Sequence, residues 1–545
     1  MTRNGTGGRI GEYERLRNLD WEPKSVRFED TVLEPTKYDL PKHGYDPFRL
    51  TAIEYCAMEE QKDNDLYGLL EGAVRHGAAE KIEQRFGEYV KLIAAMLPPA
   101  EHYAHRTFGR AVRSIPVPEL QAGYSFQMLD EMRHFQMEMQ CWNRFRIKHN
   151  YPDPYGFDRW PGMWARNIVG DVFRSGVENF ITNDPISNLV YLQMFGETAA
   201  TNALFVALPD IAATNGDDVY ATCGLSIQSD EARHMANGYA TLMSVVEASD
   251  RNVELLQDDI IWAAWREFTT FSLPIAFVYE NGAKRRGRRS ALELWEQYVL
   301  DQFYGSYMGK LEKWGLKVPE EMLHDMHEWM RWGPSTLGVF AQMVWPFLWW
   351  RQEPLDDADF EYFENKYPGW YERFGIIHQL INETCGRGNG TLVTLEGLGL
   401  LGKTLQLCQV CHMPTILPHP MIGAEEYRRF VKKPGLNGNA GETEIVTFCS
   451  KWCQHIYDRE PHRFQTPGYF GHYADVQLGD LLRDQELIRP DGKLIGQPRL
   501  DTLGTDDMWT IDDIDAFQIP FSMSLTEAEL DDPLIPHAAQ STNAP

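Results

Sequence analysis

A chain of 545 residues, 43% of them hydrophobic, with 16 Trp, 24 Tyr and 27 Phe, can bury a large core and is no disordered protein. Its formal charge of -27 argues against a nucleic-acid partner, whose phosphates it would repel. No apolar run approaches the ~20 residues needed to span a bilayer, and the polar start Met1-Thr2-Arg3-Asn4-Gly5 is no signal peptide, which points to the cytoplasm and away from a membrane.

Residues 1–50 hold Pro23, Pro35, Pro41 and Pro47 and no sustained periodicity; they read as an extended arm of the kind that lies over another subunit. From Met58 to about Lys91 the pattern is helical. Pro98-Pro99 is expected to interrupt it just before Glu101, and irregular turns gather at functional sites. The next break is Ser114-Ile115-Pro116-Val117-Pro118, because proline cannot continue a helix and biases its predecessor away from one. The following helix carries Asp130-Glu131-Met132-Arg133-His134 and runs to about Asn150, where Tyr151-Pro152-Asp153-Pro154-Tyr155-Gly156 ends it. A helix from Arg166 to Ile181 comes next, and Asn183-Asp184-Pro185 opens the helix holding Glu197. After the turn signal Thr214-Asn215-Gly216-Asp217, residues 218–248 form a helix with Asp230-Glu231-Ala232-Arg233-His234, the earlier pentad nearly letter for letter.

Each pentad puts a carboxylate and an imidazole at i and i+3, on one helix face. A single Glu-x-x-His is commonplace on solvated helices, whereas two copies sharing the flanking Asp and Arg are a much rarer coincidence. The turns add level. Glu131 lies 15 residues after Pro116 and Glu101 lies 15 before it, so in an antiparallel hairpin both sit about 22 Å from the bend. Thr214 likewise lies 17 residues from both Glu197 and Glu231. Glu80, Glu83 and Glu88 fall out of level with Glu131. Four helices would thus bring Glu101, Glu131 with His134, Glu197, and Glu231 with His234 to one depth, the ligand set that characterises ferritin-like di-iron and di-manganese bundles. Carboxylate-rich, imidazole-poor ligation favours iron or manganese over zinc or copper. Asp130 and Asp230 are then candidates to orient the histidines through their other ring nitrogen, against ordinary surface charge. Arg133 and Arg233 either neutralise these buried acids or form solvent-facing ion pairs.

Amphipathic helices are expected at about 253–283, 289–314 and 335–351. The basic run Lys284-Arg285-Arg286-Gly287-Arg288-Arg289 reads as a solvated loop, with docking of an acidic partner the alternative. From Asp356 the composition shifts toward Gly, Pro and turn residues. Gly397 to Thr404 matches a phosphate-loop pattern, but a Cys pair follows at once and leaves no room for the helix such a loop needs. Cys408-x-x-Cys411 and Cys449-x-x-x-Cys453 could hold one tetrahedral zinc; the other reading is unmetallated thiols in a small knuckle. Cys56, Cys141, Cys223 and Cys385 read as buried apolar thiols. The division expected is an arm (1–50), a helical metal domain (51–355), connecting helices and loops (356–400), a Cys-rich knuckle (401–465) and a C-terminal extension (466–545). The fold class is mainly α: a ferritin-like di-iron four-helix bundle within a larger helical domain, with a small Cys-rich α+β region near the C-terminus.

With these residues in hand, the chain resembles the oxygenase large (α) subunit of soluble bacterial di-iron multicomponent monooxygenases, closest to the propane and tetrahydrofuran branch. The two D-E-x-R-H motifs and Glu197-Thr198-Ala199-Ala200-Thr201-Asn202 are shared with all branches; Tyr367-Pro368-Gly369-Trp370-Tyr371 and Ile495-Gly496-Gln497-Pro498 favour this one. The resemblance implies two irons bound by Glu101, Glu131, His134, Glu197, Glu231 and His234. It gives Thr201 the role of the family's active-site threonine, against a helix hydroxyl bonding its own backbone. Asn202 matches a residue tied to effector binding and gating. Leu97, Ala104, Phe180 and Phe205 fall near the ligands on helical spacing as pocket lining, with plain core packing the alternative, while Gly176 and Gly196 stand where some relatives carry aromatics.

The implied reaction inserts one atom of O₂ into an unactivated C–H bond of a small hydrocarbon or cyclic ether. This chain has no plant-type ferredoxin cysteine set and no credible dinucleotide fold, so electrons come from NADH through a separate reductase bearing FAD and a [2Fe–2S] cluster. The pattern adds a β subunit, in an α2β2 assembly, and a small coupling (effector) protein. The rival readings are another di-iron carboxylate enzyme (aromatic or alkene monooxygenase, desaturase, radical-generating subunit) and a ferritin-like iron-binding protein.

Overall fold

The structure, a computed structural model, describes residues 24–142, 164, 168–201, 206–343, 355–379, 406–415, 429–434 and 443–464, with a few positions between 479 and 515. Helix α1 (Ala52–Arg75) starts at a capping box in which Thr51 and Glu54 satisfy each other's backbone N–H, and it ends at His76. Gly77, at φ 70°, makes the turn that the left-handed region reserves for glycine. Helix α2 (Gln84–Ser114) and helix α3 (Pro118–Gln140) form the first hairpin, with Pro118 in the first turn of α3, where its missing N–H costs nothing.

Pro98 and Pro99 do not interrupt α2; the helix runs through both. The two lost N–H bonds are outweighed by packing, since Met96, Leu97 and Ala100 are all buried around them. The expected distortion beside a ligand lies elsewhere. Helix α4 (Ile168–Thr182) is followed by α5 (Pro185–Leu189), opened by the Asp184 cap, and α5 continues as a π-helix, Val190–Ala200, that carries Glu197. Helix α6 (Leu208–Thr214) turns through Gly216 into α7 (Asp218–Ala248), completing the second hairpin.

Helix α8 (Asp250–Glu267) continues through the π-turn Phe268–Ser272, α9 (Leu273–Phe277) and the π-turn Val278–Gly282. Helix α10 (Ala291–Trp295) extends as π and 3₁₀ turns to Trp314. Helix α11 (Glu320–Met343) begins well before the expected position 335 because it passes through Gly333-Pro334, a pair that reads as a breaker. Asn281 donates to the Pro334 carbonyl at 2.9 Å, and Leu273 sits where a side chain at Gly333 would point.

The N-terminal arm lies over this chain's own bundle. Lys37 and Tyr38 reach Asp259 at 2.9 and 2.6 Å, and the Gly44 N–H donates to Glu119 at 3.0 Å. The basic run is not simply solvated either. Arg286 is half-buried, pairs with Asp359 of α12 (Asp357–Lys366) at 2.8 Å and stacks over Tyr362 and Phe363. Toward the C-terminus two short antiparallel ladders, β1 (Gln406–Leu407) with β2 (Pro414–Thr415) and β3 (Arg429–Pro434) with β4 (Thr443–Phe448), precede α13 (Lys451–Arg459). The mainly α fold with a small α+β appendage is as expected. Cys56 is exposed, not buried, because α1 turns Tyr55 and Glu59 inward and leaves its neighbour outside; Cys141 and Cys223 are buried. Cys385, the 397–404 loop, the 151–156 segment and Ile495–Pro498 lie outside the described residues. Among the described residues no helix is long and apolar enough to cross a membrane.

Candidate metal centre

Glu101 of α2, Glu131 and His134 of α3, Glu197 of the π-helix, and Glu231 and His234 of α7 are all buried and meet at one level. His134 Nδ1 faces Glu101 Oε2 at 3.7 Å, Glu131 Oε2 at 3.5 Å and Glu231 Oε1 at 3.6 Å. His234 Nδ1 faces Glu197 Oε2 at 3.4 Å, Glu131 Oε1 at 3.4 Å and Glu231 Oε2 at 3.0 Å. Glu131 and Glu231 therefore each turn one oxygen to each imidazole, while Glu101 and Glu197 each serve only one. Donor atoms sharing one ion at about 2.1 Å stand about 3–4 Å apart, so two neighbouring ions fit this array. Among the described residues, His134 Nδ1 and Glu131 Oε1 are buried without a hydrogen-bond partner, as donor atoms aimed at a cation would be.

The electrostatics ask for positive charge. Burial, then neighbouring carboxylates, push the Glu131 carboxyl well above its usual range, with the nearby imidazoles only partly opposing them. Burial likewise pushes Glu197 up to about 7, against the pull of His234. Burial would strip the proton from His134 and His234, yet the surrounding carboxylates hold both imidazoles well above theirs. Cations at this position would replace those protons. Gln127 fixes Glu197 from behind, its Nε2 donating to both oxygens at 2.9 and 2.8 Å.

The aspartates are crossed. His134 Nε2 lies 3.1 Å from Asp230 Oδ2, and His234 Nε2 lies 3.1 Å from Asp130 Oδ2, so each motif's Asp serves the other motif's His. Burial disfavours charge on both aspartates, but their histidine hydrogen bonds and the Arg cations hold them below the usual carboxylate range. A charged carboxylate only accepts; it keeps the ring proton on Nε2 and leaves Nδ1 to face the cluster. Arg133 and Arg233 are largely buried partners of these acids, Arg133 at 2.8 Å from Asp230 and Arg233 at 3.1 Å from Asp130. Glu59, Tyr55 and Lys62 of α1 join the same network and were not singled out from sequence. Their spacing of i, i+4 and i+7 was the available signal, and any amphipathic outer helix shows it.

A cavity of about 50 Å³ opens beside the carboxylates. Leu97, Ala100, Ala104, Leu192, Gly196, Thr201 and Phe271 line it. Gly196 thus does face the pocket, whereas Gly176 packs against Thr270. Asn202, Phe205 and the Phe180 side chain lie outside the described residues.

Cys408, Cys411, Cys449 and Cys453 are buried, with their sulfurs within 4.8 Å of one another and no disulfide. Cys411–Cys449 and Cys449–Cys453 are 3.5 and 3.4 Å apart, near the ~3.8 Å edge of a tetrahedron with ~2.3 Å metal–sulfur bonds. The Trp265 indole N–H points at Cys453 Sγ, 3.2 Å away, and ties this knuckle to α8.

Comparison with known proteins follows the same lines. A family model described as methane/phenol/alkene hydroxylase matches residues 21–249. The propane 2-monooxygenase hydroxylase large subunit of Mycolicibacterium goodii is 33% identical over 527 residues, 92% of either chain, and that of Rhodococcus jostii 33% over 535, 93% of either. The methane monooxygenase component A alpha chain of Methylococcus capsulatus is 29% identical, covering 92% of this chain and 91% of its own. Phenol hydroxylase from Pseudomonas sp. OX1 superposes with a TM-score of 0.76 at 22% identity over 93% of this chain and 100% of that one, which shows the shared fold.

Proposed function

The chain belongs to the methane/phenol/alkene hydroxylase family, as the oxygenase large subunit of a multicomponent monooxygenase, and from that premise we propose that it hydroxylates a small hydrocarbon or cyclic ether at a pair of irons. Glu101, Glu131, His134, Glu197, Glu231 and His234 hold the pair. The observation that carries this reading is the placement of Glu131 and Glu231, each offering one oxygen to either imidazole side. When bound, the irons supply dioxygen activation and oxidation of an unactivated C–H bond. The chain's own groups do the rest. The crossed aspartates fix the ring protons, Gln127 orients Glu197, and the apolar wall excludes bulk water. The Thr201 hydroxyl, in the cavity wall beside Glu197, holds an exchangeable proton next to the reacting substrate.

The small cavity and the propane 2-monooxygenase relatives favour a propane-sized alkane or a small cyclic ether. Electrons come from NADH through a separate reductase carrying FAD and a [2Fe–2S] cluster. A β subunit in an α2β2 assembly and a coupling protein complete the system, which works in the cytoplasm. The four cysteines hold a structural zinc, a reading supported by their tetrahedron-sized spacing.

The test is iron analysis with ⁵⁷Fe Mössbauer spectroscopy on the purified oxygenase, followed by a substrate panel under ¹⁸O₂ with partner proteins. Two irons per chain and one labelled oxygen per alcohol are expected. Fewer irons, or oxidation without label, would overturn it, and the latter would indicate a desaturase. The isolated chain is expected not to turn over with NADH.

A further inference from the structure

Helix α1 lies outside the four ligand-bearing helices, yet it touches the site's outer layer at three points. Glu59 reaches both arginines, lying 2.9 Å from Arg233 and 3.4 Å from Arg133. It stands between the two halves of an otherwise repeated arrangement. One turn to either side of it, α1 gives each aspartate a different partner. The Tyr55 hydroxyl donates to Asp130 Oδ1 at 2.7 Å, and the Lys62 ammonium pairs with Asp230 Oδ1. Glu59, Asp130 and Asp230 cluster closely enough to suggest a metal, but Lys62, Arg133 and Arg233 already fill the space between them.

The two halves are therefore unequal. Asp230 accepts from three cations: Lys62, Arg133 at 2.8 Å and Arg233 at 2.9 Å. Among the described residues Asp130 accepts from one Lys or Arg cation, Arg233 at 3.1 Å, and one neutral phenol. A carboxylate bonded to an imidazole N–H makes the ring a stronger donor to metal through its other nitrogen. Cations on that carboxylate draw the effect back, because they stabilise its charge and weaken its pull on the ring proton.

We propose that helix α1 makes the two metal positions electronically unequal, with Lys62 weakening donation by His134 and Tyr55 leaving His234 the stronger donor. This rests on the di-iron reading of the site. Lys62 and Tyr55 are positioning residues; neither touches a metal ligand.

The test uses the ⁵⁷Fe-loaded oxygenase with its partner subunits, and its readouts are the two Mössbauer doublets and the two one-electron reduction steps. Lys62→Gln is expected to alter one doublet and move one reduction step to lower potential, with both restored by Lys62→Arg. Tyr55→Phe is expected to alter the other doublet. Two irons bound with the same doublet moved by both variants, or neither moved, overturns the proposal. Wild-type protein that binds no iron pair sinks the di-iron reading instead. Should Lys62→Gln fail to fold, Tyr55→Phe decides alone: a change confined to one doublet supports the inequality, and equal or no change refutes it.

Discussion

His134 shares its Nε2 proton with Asp230, 3.1 Å away on the opposite hairpin, and not with Asp130 of its own motif. The repeated pentads are thus cross-linked, each aspartate keeping the other motif's ring proton on Nε2. Asp230→Asn removes the charge while keeping the shape. It should lower iron affinity about 10–100-fold through His134, and Asp130→Asn should do the same through His234. Titration of the apoprotein with ferrous iron checks this. Unchanged affinity in both variants would show that the aspartates serve only as arginine partners.

The two glycines near the site should behave oppositely. A methyl group at Gly196 would stand 3.5 Å from the Tyr191 carbonyl and 3.6 Å from Leu192, ordinary contact, inside the cavity wall. Gly196→Ala should fold normally and lower kcat/KM about tenfold for the larger members of a substrate panel, sparing the smallest. A methyl group at Gly176 would stand 2.3 Å from Thr270 Cγ2, a stiff β-branched side chain. Gly176→Ala should cost about 1–3 kcal/mol of stability, read as a fall in Tm. If Gly196→Ala slowed all substrates equally, the cavity would not be what sorts them by size.

The convergence of the six carboxylate and imidazole residues is legible because level is a local property. A turn and an equal count on either side of it place Glu101 against Glu131, and Glu197 against Glu231, without knowledge of anything distant. That arithmetic survived even the π-helix around Glu197, whose extra residue per turn no periodicity revealed. What stayed hidden was long-range. Tyr55 and Lys62 meet Asp130 and Asp230 only because α1 folds back over the bundle, and Arg286 finds Asp359 across 73 residues. At Pro98-Pro99 local propensity favours a break, and burial of the neighbouring residues overrides it.

Cys453 makes a packing contact whose loss can be told apart from loss of a metal. Its sulfur receives the Trp265 indole N–H at 3.2 Å, so the knuckle and α8 share one buried contact. Cys449→Ser should abolish zinc binding and lower Tm by several degrees, since the metal's binding energy is part of folding. Chelation of the wild-type protein should reproduce that fall and leave the Cys449→Ser variant unmoved. A chelator that changes neither Tm nor metal content would mean that the four thiols pack without an ion.

Glu267 makes the clearest pH dependence outside the metal site. It is buried at the end of α8, where Oε1 accepts from Ser272 at 2.7 Å and Oε2 has no hydrogen-bond partner among the described residues. Burial pushes its carboxyl from 4.5 up to about 8, with the Ser272 bond opposing only weakly. The folded state then binds a proton that the unfolded state has lost, so this group's contribution to stability falls as pH rises from about 4.5 toward 8. Across that window the loss is on the order of 5 kcal/mol. Glu267→Gln keeps the acceptor for Ser272 and cannot ionise. It should match the wild type near pH 5 and exceed it near pH 7.5, measured as the difference in Tm or in denaturant midpoint between the two conditions. A wild-type-to-variant difference that stays constant with pH would mean that Glu267 is ionised in the folded chain and finds compensation in its surroundings.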